Sequence, residues 1–449
     1  MRKFIYISIS FLIIIIISFL ICEFVLNIVP VLYRNLTINQ DVQYVYVLGE
    51  STADGFPYRK ISYSKIFEYL IKNQKIDNKK IEMIYLQESG CQLYHQYINY
   101  VLYRYRHPYN RGIMLLYMGT NNWANANLYT NFGRKLRLKS ILYQLVDKYL
   151  RFVRFETYEF GNYDFEYEYE KIVSLAKKFG DDIYISTISG NYEFPPDFYD
   201  LPVGAEKIDE LYFNSKFEEA KILLEKFLES QDLKTKAQLW YRMGKVLEKE
   251  NDVKGANDAF IRAHQYGFED KPEPIFQNKI IKKIAKKYNI PVFDFFNTLY
   301  NSGKVIGFDF FIDTIHPNIK THIDIAYGFI DLLKNKYQFD YIDKKDLDIE
   351  NLKTRLGFNN NDLAKVIISR IIEGENMRSM GFKFNLIVYE QWGEILKNLK
   401  LKETLFPNSE YIKDFLELEK FYEKNKYSND ELIRNDIEQK INNYKEDTF

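Results

Sequence analysis

The chain has 449 residues, too many for one ordinary core, so two or three domains are expected. Its 62 Lys and Arg balance 62 Asp and Glu, which argues against the basic stripe of a nucleic-acid binder. Cys22 and Cys91 are the only cysteines, too few for a disulfide framework or a multi-cysteine zinc site.

The sequence opens on MRK and then FIYISISFLIIIIISFLIC, an uncharged run long enough to cross a bilayer, for which about 20 apolar residues suffice. No A-x-A-like cleavage site follows, so the run predicts an uncleaved anchor over residues 1–30. Ile21 before Cys22 is a poor match for the small residue that lipid attachment requires. Arg2 and Lys3 predict a cytoplasmic N-terminus on the inner or cytoplasmic membrane, with the rest of the chain periplasmic or extracytoplasmic.

Strand-like and helix-like segments then alternate. VQYVYVL (42–48) precedes a helical stretch over 63–72; IEMIYLQ precedes one over 93–105; GIMLLYMG follows. Later come a helical stretch over 167–178, DIYISTI, another over 277–288, and IPVFDFF. The alternation predicts βαβ units and a five-stranded, doubly wound parallel sheet, an α/β domain in two parts, residues 40–200 and 271–338.

Between the fourth and fifth strands lies a helix-rich insertion, residues 203–270. WYRMGKVLEKENDVKGANDAFIRA sets Trp240, Gly244, Leu247, Ala256, Phe260 and Ala263 at the spacing of a tetratricopeptide unit. FEEAKILLEKF repeats the second-helix pattern with Ala220, Leu224 and Phe227. Any amphipathic hairpin can match part of this, but two copies favour the repeat. So few repeats do not bury a core alone, so the pair is expected to lean on its neighbours and to offer a surface to a protein partner. The tail, 345–449, is charged and mainly helical, with one apolar patch, FKFNLIVYEQWGEIL, and no role assigned.

Ser51 ends the first strand, in YVYVLGES, where an open α/β sheet places its ligand crevice. It either caps the next helix or acts as a nucleophile. A nucleophile needs a base. His95, His107 and His264 fall in helical segments or beside them and His322 in a later helix, whereas His316 lies in the loop FIDTIHPN after the fifth strand with Asp313 three residues earlier. A carboxylate holding one imidazole nitrogen while the other faces a serine is the division of labour of a Ser-His-Asp triad. Gly90 after the second strand, and Gly119 and Asn121 after the third, are either ordinary turn residues or backbone and amide donors at the same edge.

Ser51 in a G-x-S strand end, Gly90, Gly119-x-Asn121 and Asp313-x-x-His316, in that order, resemble the four blocks of the SGNH hydrolases, or GDSL-type esterases, over residues 40–335. GES stands where the family more often has Gly-Asp-Ser. The chain also resembles a membrane-anchored bacterial subgroup whose SGNH domain is interrupted by tetratricopeptide repeats. There the fourth strand ends in Asn-Leu-Arg-Asp before Pro-Pro; here GNYEFPPDF keeps Asn191, Pro195 and Pro196 without the arginine.

The resemblance implies a three-layer α/β/α, flavodoxin-like fold and hydrolysis of acyl esters through an acyl-enzyme. Ser51 would be the nucleophile, His316 the base and Asp313 its orienter, with Ser51, Gly90 and Asn121 as oxyanion donors. Glu50, Gly119, Asn122 and Asn191 are the further substrate-contact candidates. No cofactor and no metal are implied. Location suggests an acylated envelope or secreted glycan as substrate; an acyltransferase using the same triad, or a scaffold working through its repeats, are the alternatives.

Overall fold

In a computed structural model the chain is described over residues 2–34, 41–91, 93–120, 140, 142, 165–194, 204–229, 233–267, 274–359 and 362. β1 (Val42–Gly49) is an uncharged run, buried from Val45 onwards. A strand buried on both faces belongs in the middle of a covered sheet. It pairs in parallel with β3 (Lys79–Tyr85) on one side and β4 (Gly112–Tyr117) on the other. β5 (Asp182–Ser186) and β6 (Val292–Phe293) continue beyond β4, also in parallel.

The sheet has six strands rather than five. The additional one, β2 (Lys75–Ile76), runs antiparallel at the edge beside β3. It is the first arm of a hairpin whose two loop residues, Asp77 and Asn78, have φ of 50° and 62°. Asp and Asn tolerate that left-handed region, and two such residues close a hairpin tightly. The signal was present in KIDNKKI, too short to read as a strand.

The five parallel strands have the order 2-1-3-4-5 in their own sequence numbering, so the connections leaving β1 diverge between β1 and β4. That divergence opens a crevice at the carboxyl ends. Helix α1 (Arg2–Arg34) precedes the sheet, α2 (Ser51–Asp54) and α3 (Tyr63–Leu70) follow β1, and α4 (Leu93–Arg106) links β3 to β4. α5 (Phe165–Phe179) leads into β5 and packs against α4.

The predicted insertion contains α6 (Glu206–Phe213), α7 (Phe217–Leu228), α8 (Leu233–Lys249) and α9 (Val253–Gly267). After it come α10 (Pro274–Tyr288), packed on α5, and α11 (Phe295–Tyr300). α12 (Ile319–Leu333) packs on α3 and against β5 and β6, and α13 (Ile349–Arg355) follows.

α1 contains one stretch, Ile13–Leu32, long and apolar enough to cross a membrane. The helix continues to Arg34 and packs against α5, with Pro30 buried.

α8 and α9 form a hairpin whose helices meet at small residues. Ala256 and Ala263 are buried, and Gly244 faces the Phe260 ring so closely that a Cβ there would sit 2.5 Å from Cδ1. Gly244→Ala is expected to cost about 1–3 kcal/mol in urea unfolding, as overpacking does, with part recovered by a second change, Phe260→Leu. Equal stability of parent and single variant would show that the two helices do not meet there.

The insertion leans on two loops beside the crevice. Lys245 reaches Glu193 at 3.1 Å and Glu248 at 2.8 Å, and His264 Nε2 lies 2.8 Å from the carbonyl of Phe194. Asn257 donates to the Lys304 carbonyl at 3.1 Å and accepts from Ile306 N–H at 2.8 Å. Beyond α12 the start of the tail lies on the loop after α2: Phe358 meets Tyr58 at 5.8 Å and Lys60 meets Asp362 at 3.0 Å. The apolar patch of the tail falls outside the described residues.

Candidate active site

The turn out of β1 is tight. Gly49 has no room for a Cβ, which would strike Ala53 and the carbonyl of Tyr117, and its N–H donates to Gln96 Oε1 at 3.0 Å. Two residues later α2 begins at Ser51, so the Ser51 N–H lies in a first turn, where no intrahelical acceptor exists. The helix ends at Gly55, with φ of 83°, and the chain turns back to carry Phe56 over the site.

The loop bearing Asp313 and His316 is closed by backbone bonds: Ile312 N–H to the His316 carbonyl at 2.9 Å and Asn318 N–H to the Phe310 carbonyl at 2.8 Å. Asn191 N–H ties it to the end of β5 through the Thr314 carbonyl at 2.8 Å. Within it Asp313 Oδ2 lies 2.6 Å from His316 Nδ1, and His316 Nε2 lies 2.8 Å from Ser51 Oγ. Oδ1 accepts the N–H groups of Ile315 and His316 at 3.0 and 2.8 Å.

An ionised carboxylate only accepts, so Nδ1 carries the proton, Nε2 offers its lone pair, and Ser51 O–H donates to it. Burial pushes the Asp313 carboxyl up, but electrostatic attraction to the His316 ring, its hydrogen bond and the two N–H groups outweigh burial and hold it below the usual carboxylate value. Its stabilising contribution is therefore complete above the unfolded carboxylate pKa and is lost as pH falls towards the folded one.

Two rings border the imidazole region. Phe56 lies 4.7 Å from the His316 ring, an apolar wall on one side. His322 is fully buried, and burial, then His316, lowers its pKa to about 3, so it places no charge beneath the site.

Gly90 sits at the second strand end in a left-handed turn, φ 75°, where a Cβ would meet open space. Glu88 N–H holds that turn to the Gly49 carbonyl at 3.2 Å. Cys91 beside it is no nucleophile: burial, then Glu88, pushes its thiol up to about 12. Asn121 and Asn122 lie outside the described residues. Asn191 is fully buried, and among the described residues its side-chain amide has no hydrogen-bond partner.

Glu50 and Gly119, both expected among the substrate contacts, are bonded to each other. Glu50 is fully buried, and its carboxylate accepts Gly119 N–H at 2.9 Å and Thr120 N–H and Oγ1–H at 3.0 and 2.9 Å. Thr120 spends its only hydroxyl proton there, so Thr52 Oγ1, 3.1 Å away, donates to Thr120. The acid thus clasps the start of the loop that continues into Asn121. Strand register held the clue: Gly49 pairs with Tyr117, which aims the next residue at the next loop.

Glu50→Gln turns an amide N–H₂ towards these donors and shifts the loop. A misplacement of about 1 Å costs on the order of 100-fold in turnover, so kcat should fall by that amount with KM little changed. Unchanged kcat in a folded variant would remove Glu50 from the machinery.

Among the described residues no group of three or more His, Cys, Asp or Glu could hold a metal. No family model matches the chain, and no curated protein does. Among solved structures, the crystal structure of a GDSL-like lipase from Bacteroides thetaiotaomicron is similar, with a TM-score of 0.31 and 13% identity, covering 68% of this chain and 92% of that one. A likeness of that extent carries no chemistry.

Proposed function

We propose that the chain is a membrane-anchored serine esterase of the SGNH type, hydrolysing acyl esters through an acyl-enzyme on Ser51. The observation that carries the reading is the line from Asp313 through His316 to Ser51, with links of 2.6 and 2.8 Å. As Oγ attacks the ester carbonyl, Nε2 takes the hydroxyl proton and the carbonyl oxygen becomes an oxyanion. Collapse of that intermediate breaks the ester C–O bond, and His316 returns the proton to the departing alcohol. Water then repeats the cycle on the acyl-enzyme and releases the acid.

The Ser51 and Gly90 N–H groups and the Asn121 amide are the donors for the oxyanion, and Asp313 keeps the imidazole in its working tautomer. Arg2 and Lys3 favour an extracytoplasmic crevice. The hairpins α6 to α9 are read as two tetratricopeptide-like units that brace the crevice loops and present an outer face to a protein partner. The substrate suggested by that location is an O-acylated envelope or secreted glycan.

The test is a fluorophosphonate, whose phosphorus is attacked by an activated serine with loss of fluoride. One adduct on the full chain, at Ser51 and absent from Ser51→Ala and His316→Ala, supports the reading. No adduct on folded protein overturns it.

A further inference from the structure

The loop that carries Asp313 and His316 is held well upstream of its own turn. After α11 the chain runs exposed through residues 301–304 and becomes buried at Ile306 and Gly307. There the buried Asn257 of α9 accepts Ile306 N–H at 2.8 Å and donates to the Lys304 carbonyl at 3.1 Å. From the other side, the Ile306 carbonyl accepts the N–H groups of Tyr192 and Glu193 at 3.0 and 3.4 Å.

The Glu193 carboxylate holds the next turn. Oε2 accepts Phe308 N–H at 3.2 Å and presses so close that a Cβ on Gly307 would fall 2.0 Å from it, while Oε1 accepts from Lys245 Nζ of α8 at 3.1 Å. The Gly307 carbonyl accepts the N–H groups of Phe310 and Phe311, both at 3.0 Å. Phe310 is bonded in turn to Asn318, and Ile312 to the His316 carbonyl. Bonds therefore lead from Lys245 through Glu193 and the 307–312 turn to the frame of His316. Asn191, two residues before Glu193, holds Thr314, so one short segment grips both halves of the catalytic loop.

We infer that Lys245 is a positioning residue for His316, acting through Glu193, so that the α8–α9 hairpin is a built part of the active site and not a detachable docking module. The catalytic consequence rests on the esterase reading; the placement of the imidazole does not. The Lys245 side chain is 6% exposed, and lysine is seldom so buried without a partner. Burial works against its charge, but Glu193 and then Glu248 outweigh burial and keep the ammonium charged. A buried ion pair adds little net stability over apolar side chains of the same volume, so its worth here is the fixed place it gives Glu193. Without the ammonium, the Glu193 and Glu248 carboxylates face each other, and their repulsion withdraws Glu193 from Phe308 N–H.

The test is Lys245→Met in the full chain in micelles, with Lys221→Met beside it, because Lys221 pairs with Glu250 at 3.3 Å between α7 and the end of α8. For Lys245→Met, kcat on an activated ester should fall by about 10- to 100-fold with KM little changed, as a misplacement of up to about 1 Å does. Nitrogen NMR of labelled histidine should show the His316 ring line, assigned with His316→Ala, shifted or broadened. Lys221→Met should keep the parent's kcat and line. A folded Lys245→Met with the parent's kcat and His316 line overturns the inference. So does an equal fall in Lys221→Met, or a rise in KM at unchanged kcat, which would make 304–308 a substrate-binding segment.

Glu193→Gln carries the same test should Lys245→Met not fold. Lys245 claims the carbonyl oxygen of the new amide, whose N–H₂ then turns to Phe308 N–H, and the hold is lost without a change of shape. The same fall in kcat and the same change in the His316 line are expected, and their absence overturns the inference. Where both variants fold, the double variant should fall no further than the worse single one, because both release one hold; falls that simply add overturn the path through Glu193. A fluorophosphonate on the same samples keeps the outcomes apart. No Ser51 adduct on the parent, with the His316 line moved by Lys245→Met and not by Lys221→Met, would fail the esterase reading and leave the positioning role supported.

Discussion

Replacing Ser51 by alanine is expected to lower turnover of an activated ester by about a million-fold, the scale seen when a triad nucleophile is removed. Cys91 does not take its place: its thiol is bonded to the Glu88 carbonyl and held protonated. Binding and the oxyanion donors survive, so a residue of about 10³- to 10⁴-fold over water remains. His316→Ala should fall as far, and the double variant no further, because the pair acts as one unit. The fold is not at stake. The bond of Ser51 Oγ to His316 Nε2 is a partly buried one in a loop otherwise held by its backbone, so the thermal midpoint should stay close to that of the parent. Turnover by Ser51→Ala within tenfold of the parent would move the nucleophile elsewhere.

Much of this arrangement was legible in the sequence because parallel strands advertise themselves. An uncharged run such as VQYVYVLG can only be buried on both faces, and the residue after it can only emerge at the crevice. The place of Ser51 was readable on that ground, and the Asp313-x-x-His316 loop from its spacing and its position after the fifth strand, without knowledge of the distance between them. The close approach of Gly244 to Phe260 was readable for a similar reason, since small and large residues recur at helical spacing.

What was not legible depends on register and direction. The bonds of Glu50 could not be read from its place beside Ser51: the extended backbone before α2 turns its side chain to Gly119 and Thr120 after the neighbouring strand. The two-residue β2 is too short for any periodicity, and only its Asp77-Asn78 turn betrays it. The run of α1 was readable by composition as long and apolar enough to cross a membrane, whereas the bond of Tyr105 to the Leu26 carbonyl joins segments far apart in the chain and could not be read.

Asp313→Asn is expected to lower kcat by about 10⁴-fold, through tautomer rather than through loss of contact. Oδ1 is fixed by the N–H groups of Ile315 and His316, so an asparagine must leave its carbonyl oxygen there and turn its N–H₂ towards His316 Nδ1. Nδ1 then has to accept, the imidazole proton moves to Nε2, and Nε2 can no longer take the proton of Ser51. Nitrogen NMR of the imidazole should show the exchanged tautomer while the loop keeps its backbone bonds.

The same variant separates stability from catalysis. The carboxylate is held below its usual value in the folded chain, so the parent loses this contribution as pH drops below about 4, where the unfolded carboxyl takes up its proton. The variant has no proton to gain there. The stability gap between the two should narrow as pH falls below about 4, whereas the gap in kcat should persist at every pH at which both remain folded. A variant with the parent's tautomer and kcat within tenfold would leave Asp313 a structural clamp for the His316 loop and nothing more.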